Sequence, residues 1–250
     1  MMLGSGGKRI MGKWKGAWFL VRSELLWARW KFIMPVLFVG VMLLFMVPFF
    51  SDGLNGEAAV FSYWGIDLYA LLLFPCLGMM GTQANFYWKS DMYTKKLEVW
   101  RTLPISLGQI ALGKFLLYLT VSLPCMILFF TGFYFSVHFI NPSFEFQAFL
   151  QFAIFWIFYT MVAGFLYLYV EIGYKGKTYF WYCMLLTFGA IGALVGITIW
   201  TKESVLVNSY NTVLNGGWWL PTGAIAISAV CIPLGLRSIE KRLRERDLSK

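Results

Sequence analysis

The sequence predicts an all-α integral membrane protein with six membrane-spanning helices. Of its 250 residues, 59% are hydrophobic and only 13% are charged, and the mean hydropathy is +0.67. This apolar excess is far above the average of water-soluble domains. A helix that crosses a hydrocarbon core of about 30 Å needs about 20 largely apolar residues, and windows of that kind recur along the whole chain.

The six apolar windows follow one another with only short connections. We therefore expect one transmembrane domain over residues 1–250 and no separate aqueous domain. The first window is too long for the core of a signal peptide, so we interpret it as a retained helix. The predicted spans cover residues 32–50, 61–85, 110–139, 148–170, 179–200 and 218–236.

An amphipathic helix is predicted before span one. Apolar residues recur there at intervals of three and four, at Trp14, Trp18, Val21, Leu25 and Ala28. Basic side chains accompany them and are suited to anionic lipid headgroups. We therefore expect this helix to lie in the membrane interface, in contact with lipids.

Basic residues predict the orientation. If both termini are cytoplasmic, Lys202 alone among the 21 Lys and Arg residues lies on the outer side. Lys and Arg near span ends remain on the cytoplasmic side, so this orientation is strongly favoured. We expect a multi-pass protein of the cell membrane, and specifically of a bacterial plasma membrane. The net charge of +9 then reflects topology, and no nucleic-acid partner is expected.

The loop between spans two and three predicts a second amphipathic helix that Pro104 ends. Its apolar residues fall within about 160° on a helical wheel, and they include Val99 and Trp100. We expect it to lie flat on the inner membrane surface, and two interpretations stay open. It is either a solvated connector or a docking element for a cytoplasmic partner. The opposite, polar face consists of Asp91, Thr94, Lys95, Glu98, Arg101 and Thr102.

The sequence offers no catalytic, cofactor or metal site. Each of the four cysteines lies alone in a different span, and His138 is the only histidine. Gly108 to Lys114 has the spacing of a nucleotide-binding loop, but Phe115 follows where a hydroxyl should hold magnesium. We therefore expect this chain to be no enzyme and to bind no ATP itself.

One segment carries a family resemblance. The run Leu97-Glu98-Val99-Trp100-Arg101-Thr102-Leu103-Pro104-Ile105-Ser106, followed by Gln109-Ile110-Ala111-Leu112-Gly113-Lys114, resembles the first cytoplasmic loop of type-2 ATP-binding-cassette (ABC) transporter permeases. Those proteins share a similar plan. It has six spans, cytoplasmic termini, an N-terminal amphipathic helix and a short extracellular segment before the last span.

The resemblance implies a function as the permease subunit of an ATP-driven exporter. The helix of residues 89–103 would be a coupling helix in a groove of a separate ATPase subunit, present in two copies, which binds ATP and magnesium. A second copy of this permease, or a homologous one, would complete the membrane part. The substrate would be amphipathic, such as a peptide, lipid or drug. The implied ATPase-docking residues are Asp91, Thr94, Lys95, Glu98 and Arg101.

The same resemblance places spans two and five beside the transport path. Span five also carries small residues, Gly189, Gly192 and Gly196, which suit either a dimer interface or packing within the chain. Asp67 is either an intramembrane acid or a residue of the outer boundary, and Glu171 is expected at the inner interface. The candidate path residues are Tyr63, Trp64, Asp67, Tyr69, Phe74 and Phe188.

Other function classes fit the sequence less well. A secondary transporter would need intramembrane ionisable pairs or matched broken helices, and an intramembrane enzyme would need clustered acids or histidines. Neither pattern is evident in the spans. A non-transporting membrane anchor, or an immunity or sensor subunit of a membrane complex, stays as the alternative.

Overall fold

The protein is described by a computed structural model over residues 12–27, 33–55, 65–80, 99–100, 102, 105–174, 176–201 and 203–245. Nearly all of these residues are helical, and none of them belongs to a β-strand. The predicted all-α class is therefore confirmed. The main helices are α1 Lys13–Trp27, α2 Ile33–Asn55, α3 Gly65–Met80, α4 Leu107–Ile140, α5 Phe146–Gly173, α6 Gly176–Thr201, α7 Val205–Leu214 and α8 Trp219–Glu245.

Five of these helices, α2, α4, α5, α6 and α8, are long and apolar enough to cross a membrane. They correspond to predicted spans one and three to six, with starts that differ by at most three residues and ends that differ by up to nine. Helix α3 corresponds to span two and is apolar but shorter. Both ends of the predicted span, residues 61–64 and 81–85, lie outside the described residues.

The outward surfaces of the long helices are apolar. Leu44 on α2 is 75% exposed, Phe139 on α4 is 90% exposed and Trp200 on α6 is 88% exposed. Large apolar side chains with this exposure are unfavourable in water and favourable against lipid. These helices are thus compatible with a multi-pass membrane protein.

The interior contains two hydrophobic clusters at opposite ends of the helices. The α7-end core joins α2, α3, α4, α5 and α7, and its aromatic rings pack mainly edge to face, as at Phe50 and Phe133, whose centroids lie 5.1 Å apart. The α1-end core joins α1 to the start of α4 and the ends of α5 and α8 through Leu20, Ile110, Ile172 and Leu243. Helices α2, α3, α4, α5, α6 and α8 therefore run in alternating directions between the two ends.

Helix α1 packs against the first turns of α4. Glycines allow this approach, since a Cβ on Gly113 would lie 3.2 Å from the carbonyl oxygen of Ala17. The predicted N-terminal helix is present, but it turns Ala17 and Leu20 inward and leaves Trp14 and Trp18 exposed. Its exposed indole rings make it suited to the membrane interface, where tryptophan is enriched.

Candidate functional site

The first candidate site lies at the α1 end, where the loop before α4 meets the helices. Val99, Trp100 and Thr102 of this loop are described, and all three are helical. Trp100 is only 6% exposed and belongs to the α1-end core, whereas Val99 is 61% exposed. Both residues were predicted on one apolar face, but neighbouring residues in a helix point about 100° apart, and only Trp100 points inward.

Beneath Trp100 lies a buried ion pair between two helices. The Lys114 Nζ atom of α4 is 3.7 Å from the Glu171 Oε1 atom of α5, and the two side chains are 4% and 1% exposed. The same Nζ atom is 5.2 Å from the centroid of the Trp100 ring, within the range of a cation–π interaction. The loop, α4 and α5 are therefore joined through three side chains.

Glu171, expected at the inner interface, is buried among the described helices. The residue lies in the last turn of α5, and its Oε1 atom pairs with the Lys114 ammonium. A buried charge is tolerated when a partner offsets the lost hydration. The sequence does contain a signal for this pair, because the two residues carry opposite charges at the same end of adjacent spans.

The segment that mimics a nucleotide-binding loop forms the first turns of α4. Ser106 caps this helix, and its hydroxyl accepts a hydrogen bond from the amide of Gln109 at 3.3 Å. The Gln109 Oε1 atom in turn accepts a hydrogen bond from the amide nitrogen of Ser106 at 2.7 Å. Lys114 therefore stands on a regular helix, with its ammonium turned toward Glu171.

Helix α8 joins the same end of the molecule. The Arg242 guanidinium lies 4.8 Å from the centroid of the Tyr174 ring, just after α5. The ring of Tyr174 is in turn 4.6 Å from that of Tyr182 on α6. Contacts at the α1 end thus extend from the loop to the last helix.

The second candidate site is at the α7 end, and it contains Asp67. The carboxylate of Asp67 is fully buried and accepts hydrogen bonds from the Ser204 hydroxyl at 2.7 Å and from the amides of Val205 and Leu206 at 2.8 and 2.9 Å. These donors form the amino terminus of α7, where a negative charge is stabilised. From the sequence, Asp67 is expected as an intramembrane or a boundary acid, and neither alternative includes Ser204, which lies 137 residues away in the chain.

The other candidate path residues occupy different environments. Tyr69 is half-buried and stacks on Phe45, with ring centroids 6.1 Å apart. Phe74 is fully buried in the α7-end core, and Phe188 is 67% exposed on α6. Tyr63 and Trp64 lie outside the described residues. The structure therefore does not bring the described candidates together around one cavity.

Helix α6 presents its glycines away from the rest of the described chain. A Cβ built on Gly189, Gly192 or Gly196 would meet no described atom within 4 Å. Leu194 and Thr198, one helical turn apart, are buried at 5% and 3% exposure on the opposite face. The glycines thus pack against no helix among the described residues.

The implied ATPase-docking residues, Asp91, Thr94, Lys95, Glu98 and Arg101, lie outside the described residues. Among the residues that are described, no group of three His, Cys, Asp or Glu side chains is arranged to hold a metal ion. The four cysteines are free thiols.

Comparison of the chain with protein-family models, curated proteins and solved structures finds no match.

Proposed function

We propose that this chain is the membrane-spanning permease subunit of an ATP-driven ABC exporter, whose ATP hydrolysis takes place in a separate subunit. The observation that supports the proposal most is the position of Trp100. This residue belongs to the loop that resembles a coupling helix, and it covers the Lys114–Glu171 pair. Movement of the loop would therefore displace both α4 and α5, which a solvated connector would not do.

The proposal includes six spans, with α3 as the second, and a cytoplasmic α1 end. Among the described residues the Lys and Arg side chains lie at the α1 end, as Lys15, Arg22 and Arg244 do, whereas acids occur at both ends. This asymmetry follows the distribution of basic residues in membrane proteins. A second permease copy would face the glycines of α6, where small residues permit close helix contact.

Purification from two sources tests the proposal. The chain expressed without partners should neither bind nor hydrolyse ATP. The chain isolated in mild detergent from its native membrane should carry a second protein and magnesium-dependent ATP hydrolysis. Hydrolysis by the chain alone would contradict the proposal. A native preparation without any ATPase would favour the alternative, a non-transporting membrane anchor.

A further inference from the structure

Helix α3 is interrupted in its middle. Residues Tyr69–Leu73 form a π-helical turn between Leu68 and Phe74, which have ordinary α-helical dihedral angles. Pro75 follows the turn and has no amide hydrogen, so it cannot donate to the Leu71 carbonyl four residues earlier. Single π-helical turns within helices often occur at functional sites.

A side chain from α5 supplies the missing donor. The Tyr159 hydroxyl donates a hydrogen bond to the Leu71 carbonyl oxygen at 3.0 Å. An unbonded carbonyl is costly among apolar helices, where water does not replace the lost bond. Tyr159 therefore stabilises α3 in its interrupted form.

The outer piece of α3, residues 65–68, is attached to α7. Asp67 makes the attachment through its three hydrogen bonds to residues 204–206. A carboxylate that accepts backbone amides at a helix amino terminus forms charge-assisted bonds, which are stronger than neutral ones. The position of this piece is thus fixed by α7.

The inner piece of α3, Phe74–Met80, is attached to other helices. The Phe74 ring centroid lies 5.0 Å from that of Phe129 on α4 and 5.8 Å from that of Trp156 on α5. The Tyr118 hydroxyl of α4 shares its one proton between the Thr160 carbonyl oxygen at 3.0 Å and the Pro75 carbonyl oxygen at 3.3 Å. Ile66 of the outer piece and Phe74 of the inner piece share the α7-end core, but the side-chain hydrogen bonds of the two pieces join them to different helices, with the π-helical turn between them.

We propose that Asp67 and Tyr159 are positioning residues that keep α3 in two pieces and make the turn Tyr69–Leu73 a hinge. The outer piece moves with α7, while the inner piece stays with α4 and α5. The role of this hinge in transport rests on the proposed function. The hinge itself is a property of the isolated chain, so its test does not depend on an ATPase.

Thiol labelling tests whether the two pieces move independently. One reporter is the native Cys76 in the inner piece, and the other is Gly65→Cys, where a Cβ meets no atom of the described residues within 4 Å. In the purified full chain, Asp67→Ala should raise the rate of maleimide labelling at position 65 roughly fivefold, as expected for a lost helix cap. Labelling at Cys76 should not change. The chain with the Cys76 reporter has Cys125, Cys183 and Cys231 replaced by alanine, and the Gly65→Cys chain has all four native cysteines replaced.

An equal rise at both reporters would show that α3 moves as one rod and would overturn the proposal. If Asp67→Ala fails to fold, Asp67→Asn, which keeps one acceptor oxygen, gives the same comparison with a smaller rise at position 65. No rise at position 65 with either variant would also overturn the proposal.

A double-mutant cycle tests the role of Tyr159. Tyr159→Phe should lower the Tm of the chain by about 2–4 °C, the effect expected for one lost hydrogen bond. In a Pro75→Ala background the new amide can donate to the Leu71 carbonyl, so Tyr159→Phe should have less than half that effect. Equal losses in the two backgrounds would contradict the assignment of Tyr159 as the replacement donor.

Discussion

At the scale of single residues, the pairing of Lys114 with Glu171 shows how a charge can be placed among apolar helices. Both side chains are nearly inaccessible, and their charged atoms lie 3.7 Å apart. The net stabilisation from such a pair is small, because each charge loses its hydration. Removal of only one of the two charges is much more destabilising, because the other charge stays buried. We therefore interpret the pair as a fixed link between α4 and α5.

Replacement of Lys114 by methionine should destabilise the chain, because it leaves the Glu171 carboxylate buried without this cation. We expect the Tm in detergent to fall by roughly 6–12 °C. Adding Glu171→Leu to Lys114→Met should restore most of the loss. If the fall in Tm of the double variant equals the sum of the falls in the two single variants, the pairing is contradicted.

A matched control is available at the same end of the molecule. Arg244 and Glu240 form an ion pair at 2.7 Å on α8, but the Arg244 side chain is 69% exposed. Exposed pairs contribute at most about 1 kcal/mol. Arg244→Met should therefore change the Tm by less than about 3 °C.

At the scale of elements, the face of α6 that carries Gly189, Gly192 and Gly196 is the surface best suited to another helix. The three glycines share one face and have open space around them, and the helix is packed into the chain through Leu194 and Thr198 on the other face. Glycines let helix backbones approach closely, which favours association in lipid. We expect a second copy of the chain at this face.

Gly192→Leu should weaken dimer formation without disturbing the fold of one chain, because the added side chain meets only open space in the monomer. The fraction of dimers is measured by single-molecule photobleaching, which counts the subunits in each lipid nanodisc. Gly40→Leu on α2 is the control, since a Cβ there also meets no atom in the described part of the chain within 4 Å. Unchanged dimer formation by Gly192→Leu, or an equal loss with Gly40→Leu, would contradict the α6 interface.

The elements also show what could be predicted from the sequence. The starts of five spans are predicted to within three residues, because a long apolar run is a strong local signal, but the last helix continues nine residues beyond its predicted end. Helix α7 was not predicted as a helix, although Ser204 at its start and Gly216 after its end are typical helix boundaries. The partners of Asp67 and Tyr159 depend on long-range contacts, which no local pattern contains.

At the scale of the whole molecule, the two ends differ in what they connect. The α1 end joins the loop residue Trp100 to α1, α4, α5 and α8, whereas the α7 end joins Asp67 to α7 and an aromatic core. In the proposed function, the first end receives the motion of the ATPase and the second closes the outer side. This assignment requires the α1 end to be cytoplasmic.

Cysteine labelling tests the orientation. Single cysteines replace the exposed residues Thr102 and Ser238 at the α1 end and Asn215 at the α7 end, in a chain whose native cysteines are replaced by alanine. An impermeant maleimide added to intact cells should label only the Asn215→Cys chain. Labelling of Thr102→Cys before the cells are opened would reverse the orientation.

The central claim is that the loop of residues 89–103 couples an ATPase to the spans. Its most direct test is recovery of the ATPase that co-purifies with the unaltered chain, measured with the charge-reversed variant Glu98→Lys, Arg101→Glu at matched expression. The variant keeps the net charge and reverses the charge pattern offered to a partner. The control is the reversed pair Glu240→Arg, Arg244→Glu on α8. We predict at least a roughly tenfold loss of ATPase with the loop variant and none with the control, whereas undiminished recovery with the loop variant would contradict the coupling role.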